Sequence, residues 1–76
     1  MEDAVLVDVR GLKCPLPVLK AAKRMQPHAA GTRFRVLATD PLASIDFPNF
    51  CREEGHRLLG SGREGETLSF EIEKGG

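Results

Sequence analysis

Two prolines flanking Leu16, in the stretch Arg10-Gly11-Leu12-Lys13-Cys14-Pro15-Leu16-Pro17, restrict what this chain can fold into more than any other feature. Inside a helix each would remove a hydrogen bond, but in the first turn the missing N–H has no partner anyway. An apolar-periodic run, Val18 to Met25, follows at once. The prolines therefore mark a helix start, and the helix is expected over Pro15 to about Met25. Pro15 also pushes the residue before it toward extended dihedrals, the conformation of a helix N-cap. Cys14 is the expected cap.

Ser, Thr, Asp or Asn would cap better, so cysteine costs about 1 kcal/mol at this turn. That points to a use for the sulfur. A helix N-terminus carries roughly half a positive charge and Lys13 adds a cation, both favouring thiolate over thiol. The plain alternative is a small, partly buried hydrophobe, the usual state of a free cysteine. The proline frame and the polar, glycine-containing lead-in favour the reactive reading.

Seventy-six residues suit one small domain, 1–76, burying about 60% of its unfolded surface. That size leaves no room for a deep substrate cavity. A 41% hydrophobic content with four Phe, no Trp and no Tyr describes a compact aliphatic core. Two cysteines make no disulfide framework, and nothing reads as a signal peptide or membrane span, so a reducing cytoplasm is the expected compartment. Net charge is zero but unevenly spread, with seven basic and three acidic residues in 1–37 and four basic and eight acidic in 38–76. Cys14 lies in the basic half. That asymmetry is either an ordinary solvated surface or a means of steering an acidic protein surface or RNA toward the cysteine.

Ala4 to Val9 is a β-branched run with Val5, Val7 and Val9 on one face, a first strand ended by Gly11. On the helix beyond it, Val18, Leu19, Ala22 and Met25 form the expected buried stripe, and Lys20, Lys23 and Arg24 a basic face. Pro27 and Gly31 bracket a loop, and Phe34, Val36 and Ala38 alternate as a second strand. Strand, helix, strand implies a parallel pair, so the loops after both strands open at the same sheet end, the usual place for a site. Asp40 is then either a neighbour of the Cys14 thiol or only a turn residue capping the next helix.

A second helix begins at Ser44 or Asp46 as cap, with Pro48 fitting only in its first turn. Ile45, Phe47, Phe50 and Cys51 would face inward and Gly55 would end it. Cys51 reads as core. His56 to Gly60 and Thr67 to Glu73 complete two strands around a polar, glycine-rich turn, Ser61 to Glu66, pairing as a hairpin. The sum is βαβαββ, an α/β two-layer sandwich with a four-stranded mixed sheet and two helices on one face.

Absent chemistry narrows the function. There is no Cys-x-x-Cys for dithiol cycling and no glycine loop for phosphate. Cys14, Cys51, His28 and His56 lack metal-ligand spacing, so no metal and no cofactor is expected. His28 reads as an exposed loop residue and His56 as a polar strand-edge residue. A lone thiol without a base nearby in sequence suits a group carrier better than a hydrolase.

Asp8 with Gly11, then Cys14-Pro15-Leu16-Pro17, resembles the signature of the TusA (SirA-like) family of small bacterial sulfur carriers. Met25-Gln26-Pro27, Thr39-Asp40-Pro41, Asp46-Phe47-Pro48, Phe50-Cys51, His56-Arg57-Leu58 and Lys74-Gly75-Gly76 extend the resemblance over essentially the whole chain. It implies a sulfurtransferase in which Cys14 takes a sulfane sulfur, as a persulfide, from a cysteine desulfurase and passes it to a cysteine of a downstream relay protein. In the family's best-known pathway the relay ends in 2-thiolation of the wobble uridine of transfer RNA, which the carrier meets only indirectly. Other members serve sulfur oxidation or cofactor maturation. Lys13, Pro15, Pro17, Asp8, Gly11 and Asp40 are the expected supporting residues. Lys20, Lys23 and Arg24 are the expected docking face.

Two rivals make different demands. Ubiquitin-like carriers activate a terminal diglycine, but their fold opens with a hairpin, so Gly75-Gly76 is expected as a frayed tail whose loss leaves sulfur loading intact. A small RNA-binding or regulatory module would suit the basic half, yet net charge is zero and exposed aromatic residues for base stacking are lacking.

Overall fold

The structure is a computed structural model that describes residues 4–76; the first three positions, with Glu2 and Asp3 of the charge count, lie outside the described residues. The elements are β1 (Val5–Asp8), α1 (Leu16–Met25), β2 (Arg33–Ala38), α2 (Ala43–Glu54), β3 (Arg57–Glu64) and β4 (Thr67–Glu73). The sheet order is β1-β2-β4-β3, with β1 parallel to β2 and both other pairings antiparallel. This is the expected βαβαββ sandwich with its mixed sheet.

Alternation decides which sheet face is buried. Val7 pairs with Val36, and Phe34 and Val36 oppose Ile72 and Phe70 across β4. All five are buried, whereas Leu6, between two valines, is 53% exposed. On the outer face Arg35 meets Glu71 at 3.8 Å and Arg57 meets Glu73 at 3.6 Å. Such exposed pairs contribute about 1 kcal/mol at most. The core is aliphatic and aromatic, with Phe47 stacked on Phe70 at 4.9 Å and Met25, Val7 and Val9 fully enclosed.

Each helix leaves one residue of its expected inward stripe exposed and buries smaller neighbours in its place. On α1 the buried residues are Pro17, Ala21 and Met25, with Val18 and Ala22 packed at the margin and Leu19 58% exposed. On α2 they are Ala43, Phe47, Phe50 and Cys51, with Ile45 also 58% exposed. One geometry explains both. Leu19 lies midway between Pro17 and Ala21, and Ile45 between Ala43 and Phe47, so each sits about 200° around its helix from two buried residues.

The second helix also starts differently. Its N-cap is Leu42, without a side-chain cap. Ser44 Oγ instead donates to the Pro41 carbonyl at 2.9 Å, and Asp46 lies within the first turn, past the cap. Pro48 stands in the second turn, not the first. The carbonyl it leaves without an N–H partner belongs to Ser44, which is exposed. Gly55 ends α2 with φ 77°, the left-handed stop expected of it.

The stretch expected as a long glycine-rich turn is mostly strand. β3 runs to Glu64, with a register shift between Leu58 and Gly60, and the loop is only Gly65-Glu66. Gly62 lets the strands close, since a Cβ there would come within 3.2 Å of Ser69 Oγ. Polarity marked a loop, but β3 is a sheet edge with little to bury.

Candidate functional site

The parallel β1–β2 pair brings together the two loops that leave these strands. Val9 N–H still donates to the Leu37 carbonyl at 2.8 Å, after which the chains part. Asp8 accepts from the Arg10 backbone N–H at 3.1 Å and from its guanidinium at 2.9 and 2.8 Å. This clamp holds the Asp8 carboxyl down at about 2. Gly11 comes next with φ 83°, a left-handed turn that suits glycine. Its N–H donates to Thr39 Oγ1 at 2.9 Å.

Asp40 performs both of the roles open to it. One carboxylate oxygen accepts from the Cys14 N–H at 2.5 Å, and the other from Leu42 N–H at 3.1 Å at the entry to α2. Those two N–H groups, with Lys13 nearby, hold the Asp40 carboxyl below its usual range. The loop bearing the thiol is thus pinned to the start of the second helix.

Cys14 is exposed, and it is not the N-cap. That position belongs to Pro15, joined to Cys14 by a cis bond, and no side chain caps α1. Nor does the thiol favour its anion. Its pKa is raised, first by a hydrogen bond with the Asp46 carboxylate, then by partial desolvation and by repulsion from Asp46 and Asp40. Every one of these contributions raises it, and the Lys13 charge acts on Asp40 instead. Asp46 is the residue that sequence reasoning placed only as a cap. Its signal was the polar series Asp46, Asn49 and Glu53, spaced to share one face of α2.

That face lines an open groove of about 700 Å³ between α1 and α2. Cys14 and Asp46 stand near the N-terminal ends of the helices, His56 and Lys74 beyond their C-terminal ends. Val18, Ala22 and Phe50 supply apolar walls. Of the expected docking cations, Lys23 borders the groove, Arg24 is exposed beside it in sequence, and Lys20 lies near enough to Asp8 to help lower its pKa. Around the thiol the exposed large side chains are aliphatic: Leu16, Leu19, Leu42 and Ile45, each more than half exposed.

Cys51 is free and buried as expected, and burial pushes its thiol up. The histidines depart from expectation. His28 is half-buried, edge-on to Phe34 at 5.2 Å, and His56 is half-buried against Phe50 at 5.1 Å. Gly75 is not frayed either, because its N–H donates to His56 Nδ1 at 3.0 Å. Among the described residues no three His, Cys, Asp or Glu side chains are grouped to hold a metal ion, and no helix is long and apolar enough to cross a membrane.

Fold and site define a small two-layer α/β protein that presents one thiol at the mouth of an open groove, on a loop tied down by backbone and carboxylate. Residues 5–74 match the family model of sulfurtransferase TusA, and the chain belongs to that family. It is 43% identical over 74 residues to the sulfur carrier protein TusA of Pseudomonas entomophila, covering 97% of this chain and 91% of that one. With the sulfur carrier protein TusA of Allochromatium vinosum it shares 40% over 68 residues, 90% of each chain. YrkF of Bacillus subtilis is 37% identical over 76 residues, but the chain spans only 41% of that longer relative. The fold also matches the crystal structure of a SirA-like protein from Desulfitobacterium hafniense, with a TM-score of 0.80 at 20% identity over 95% of this chain and 99% of that one.

Proposed function

We propose that this protein is a sulfur carrier that holds a sulfane sulfur as a persulfide on Cys14. The observation that supports it best is the contrast in access: Cys14 is exposed at the groove mouth while Cys51 is enclosed. In the step we envisage, the Cys14 thiolate attacks the terminal sulfur of a donor persulfide. The donor's S–S bond breaks, a new one forms at Cys14, and the donor leaves as a thiolate that takes up the proton Cys14 gave up. No net oxidation occurs. Delivery to an acceptor cysteine repeats the exchange.

The donor is a cysteine desulfurase and the acceptor a downstream relay protein, a cytoplasmic route leading toward 2-thiolation of transfer RNA. Partner docking replaces a substrate pocket. The aliphatic rim of Leu16, Leu19, Leu42 and Ile45, with the basic Lys20, Lys23 and Arg24, offers a surface for it. Asp46 gives docking a second effect. The resting thiol keeps its proton until a cation on the partner offsets the carboxylate, so the reactive anion arises where the donor sulfur is.

Intact mass tests the reading, after incubation with a cysteine desulfurase and free cysteine. Wild type and Cys51→Ala should each gain one sulfur atom, removed by reductant, and Cys14→Ala should gain none. Equal loading of Cys14→Ala, or no loading of wild type by an active desulfurase, overturns it.

A further inference from the structure

The far end of the groove is built around Lys74 and Gly75. Lys74 continues the sheet, its N–H donating to the Thr32 carbonyl and its carbonyl accepting from Gly31 N–H, both at 2.8 Å. Its ammonium then reaches the C-terminal end of α1, donating to the carbonyls of Gln26 at 3.0 Å and His28 at 2.5 Å. These are carbonyls at and just past a helix end, where a cation is favoured both by their lone pairs and by the helix dipole. One residue on, Gly75 closes against the end of α2. Its N–H donates to His56 Nδ1, and a Cβ on it would collide with the Gly55 carbonyl. His56 N–H in turn donates to the Cys51 carbonyl at 2.8 Å, finishing α2. Two consecutive residues therefore hold the C-terminal ends of both helices.

The helices approach each other beneath the groove, but its open side leaves their outer edges to be held at the two ends. Asp40 fixes one end, through Cys14 and Leu42. We propose that Lys74 and Gly75 are positioning residues for sulfur exchange: they act as a strap that fixes the other end and so sets how a partner seats in the groove leading to Cys14. The proposal rests on the sulfur-carrier reading. Exchange requires the reacting sulfurs within about 3–3.5 Å, and about 1 Å of misplacement can cost 10²-fold in rate. A loosened strap would misplace a protein partner without altering the thiol.

The test compares Gly75→Ala, Lys74→Met and Lys74→Arg with wild type in three measurements. These are loading by a cysteine desulfurase at varied carrier concentration, alkylation of Cys14 by iodoacetamide, and the α1–α2 angle from residual dipolar couplings. Gly75→Ala and Lys74→Met should raise the KM for carrier by about tenfold, change the interhelical angle, and leave alkylation within about twofold of wild type. Lys74→Arg, which keeps a cation at the carbonyls, should recover most of the loss. If Gly75→Ala does not fold, Lys74→Met decides alone. An unchanged angle, an unchanged KM, or a fall in alkylation that parallels the loss of transfer overturns the strap. Failure of wild type to load is a separate result that overturns the carrier reading itself.

Discussion

Both cysteines of this chain hold their protons more tightly than a free thiol, and for unrelated reasons. At Cys14 the leading cause is the Asp46 carboxylate beside an exposed sulfur, with lesser contributions from desolvation and Asp40. At Cys51 it is enclosure among the core side chains of α2 and the sheet. A neighbouring charge can be cancelled by a visiting one, whereas enclosure ends only when the fold opens. The direction of a pKa shift therefore says less about reactivity than its cause.

The sharpest way to break this contrast is alkylation of the native protein at neutral pH. Cys14 should react more than about 10³-fold faster than Cys51, whose modification has to wait for opening of the core. Mass spectrometry of digested protein reads both sites, and comparable rates would mean that Cys51 is not enclosed. Next in size is stability. Cys51→Ser puts a hydroxyl into an apolar site and should cost about 1–3 kcal/mol, seen as a lower urea midpoint at constant m-value. Cys14→Ser should leave the midpoint within about 0.5 kcal/mol of wild type, and equal losses would erase the distinction.

A smaller effect isolates the carboxylate. Asp46→Asn removes the main cause of the Cys14 shift, so its pKa should fall and alkylation at pH 7 should rise at least about threefold. Cys51 should be indifferent. A pH–rate profile that does not move would assign the raised pKa to desolvation instead. The smallest effect concerns His56. Desolvation first, then the Lys74 charge, lowers its pKa, while Glu54 opposes them, and only the neutral ring accepts from the Gly75 N–H through Nδ1. The unfolded state then binds more protons below pH 6.5, so stability should decline as pH falls from there toward the folded pKa and level off beneath it. Urea midpoints at stepped pH for wild type and His56→Gln check this, and identical slopes would show that His56 has no part in it.

The element order and the exposure of Cys14 just ahead of α1 were legible because prolines and β-branched runs act locally, although the cap itself fell one residue later, on Pro15. Asp40's position was legible too, once strand, helix and strand implied a parallel pair. Two kinds of information were not local. The inward edge of each helix depends on what the sheet offers it, and small residues such as Ala21 and Ala43 settle close to the sheet while Leu19 and Ile45 stay outside. The state of the thiol depends on Asp46, which is remote in sequence, and helix-end reasoning gave its shift the wrong sign. Gly75 was misread for a related reason. A glycine signals flexibility on its own, and its want of a Cβ at Gly55 is visible only when the two segments meet.

The outer strand β3 has a bearing on solubility. It is eight residues long, nearly all exposed, and forms an open edge of the sheet, the sort of backbone on which a second copy of a chain can nucleate a growing sheet. The register shift at Leu58/Gly60 and the charges of Arg57, Arg63 and Glu64 interrupt that template. Leu58 and Leu59 of the same strand are exposed, so these interruptions keep the edge from offering a second copy a continuous apolar seam.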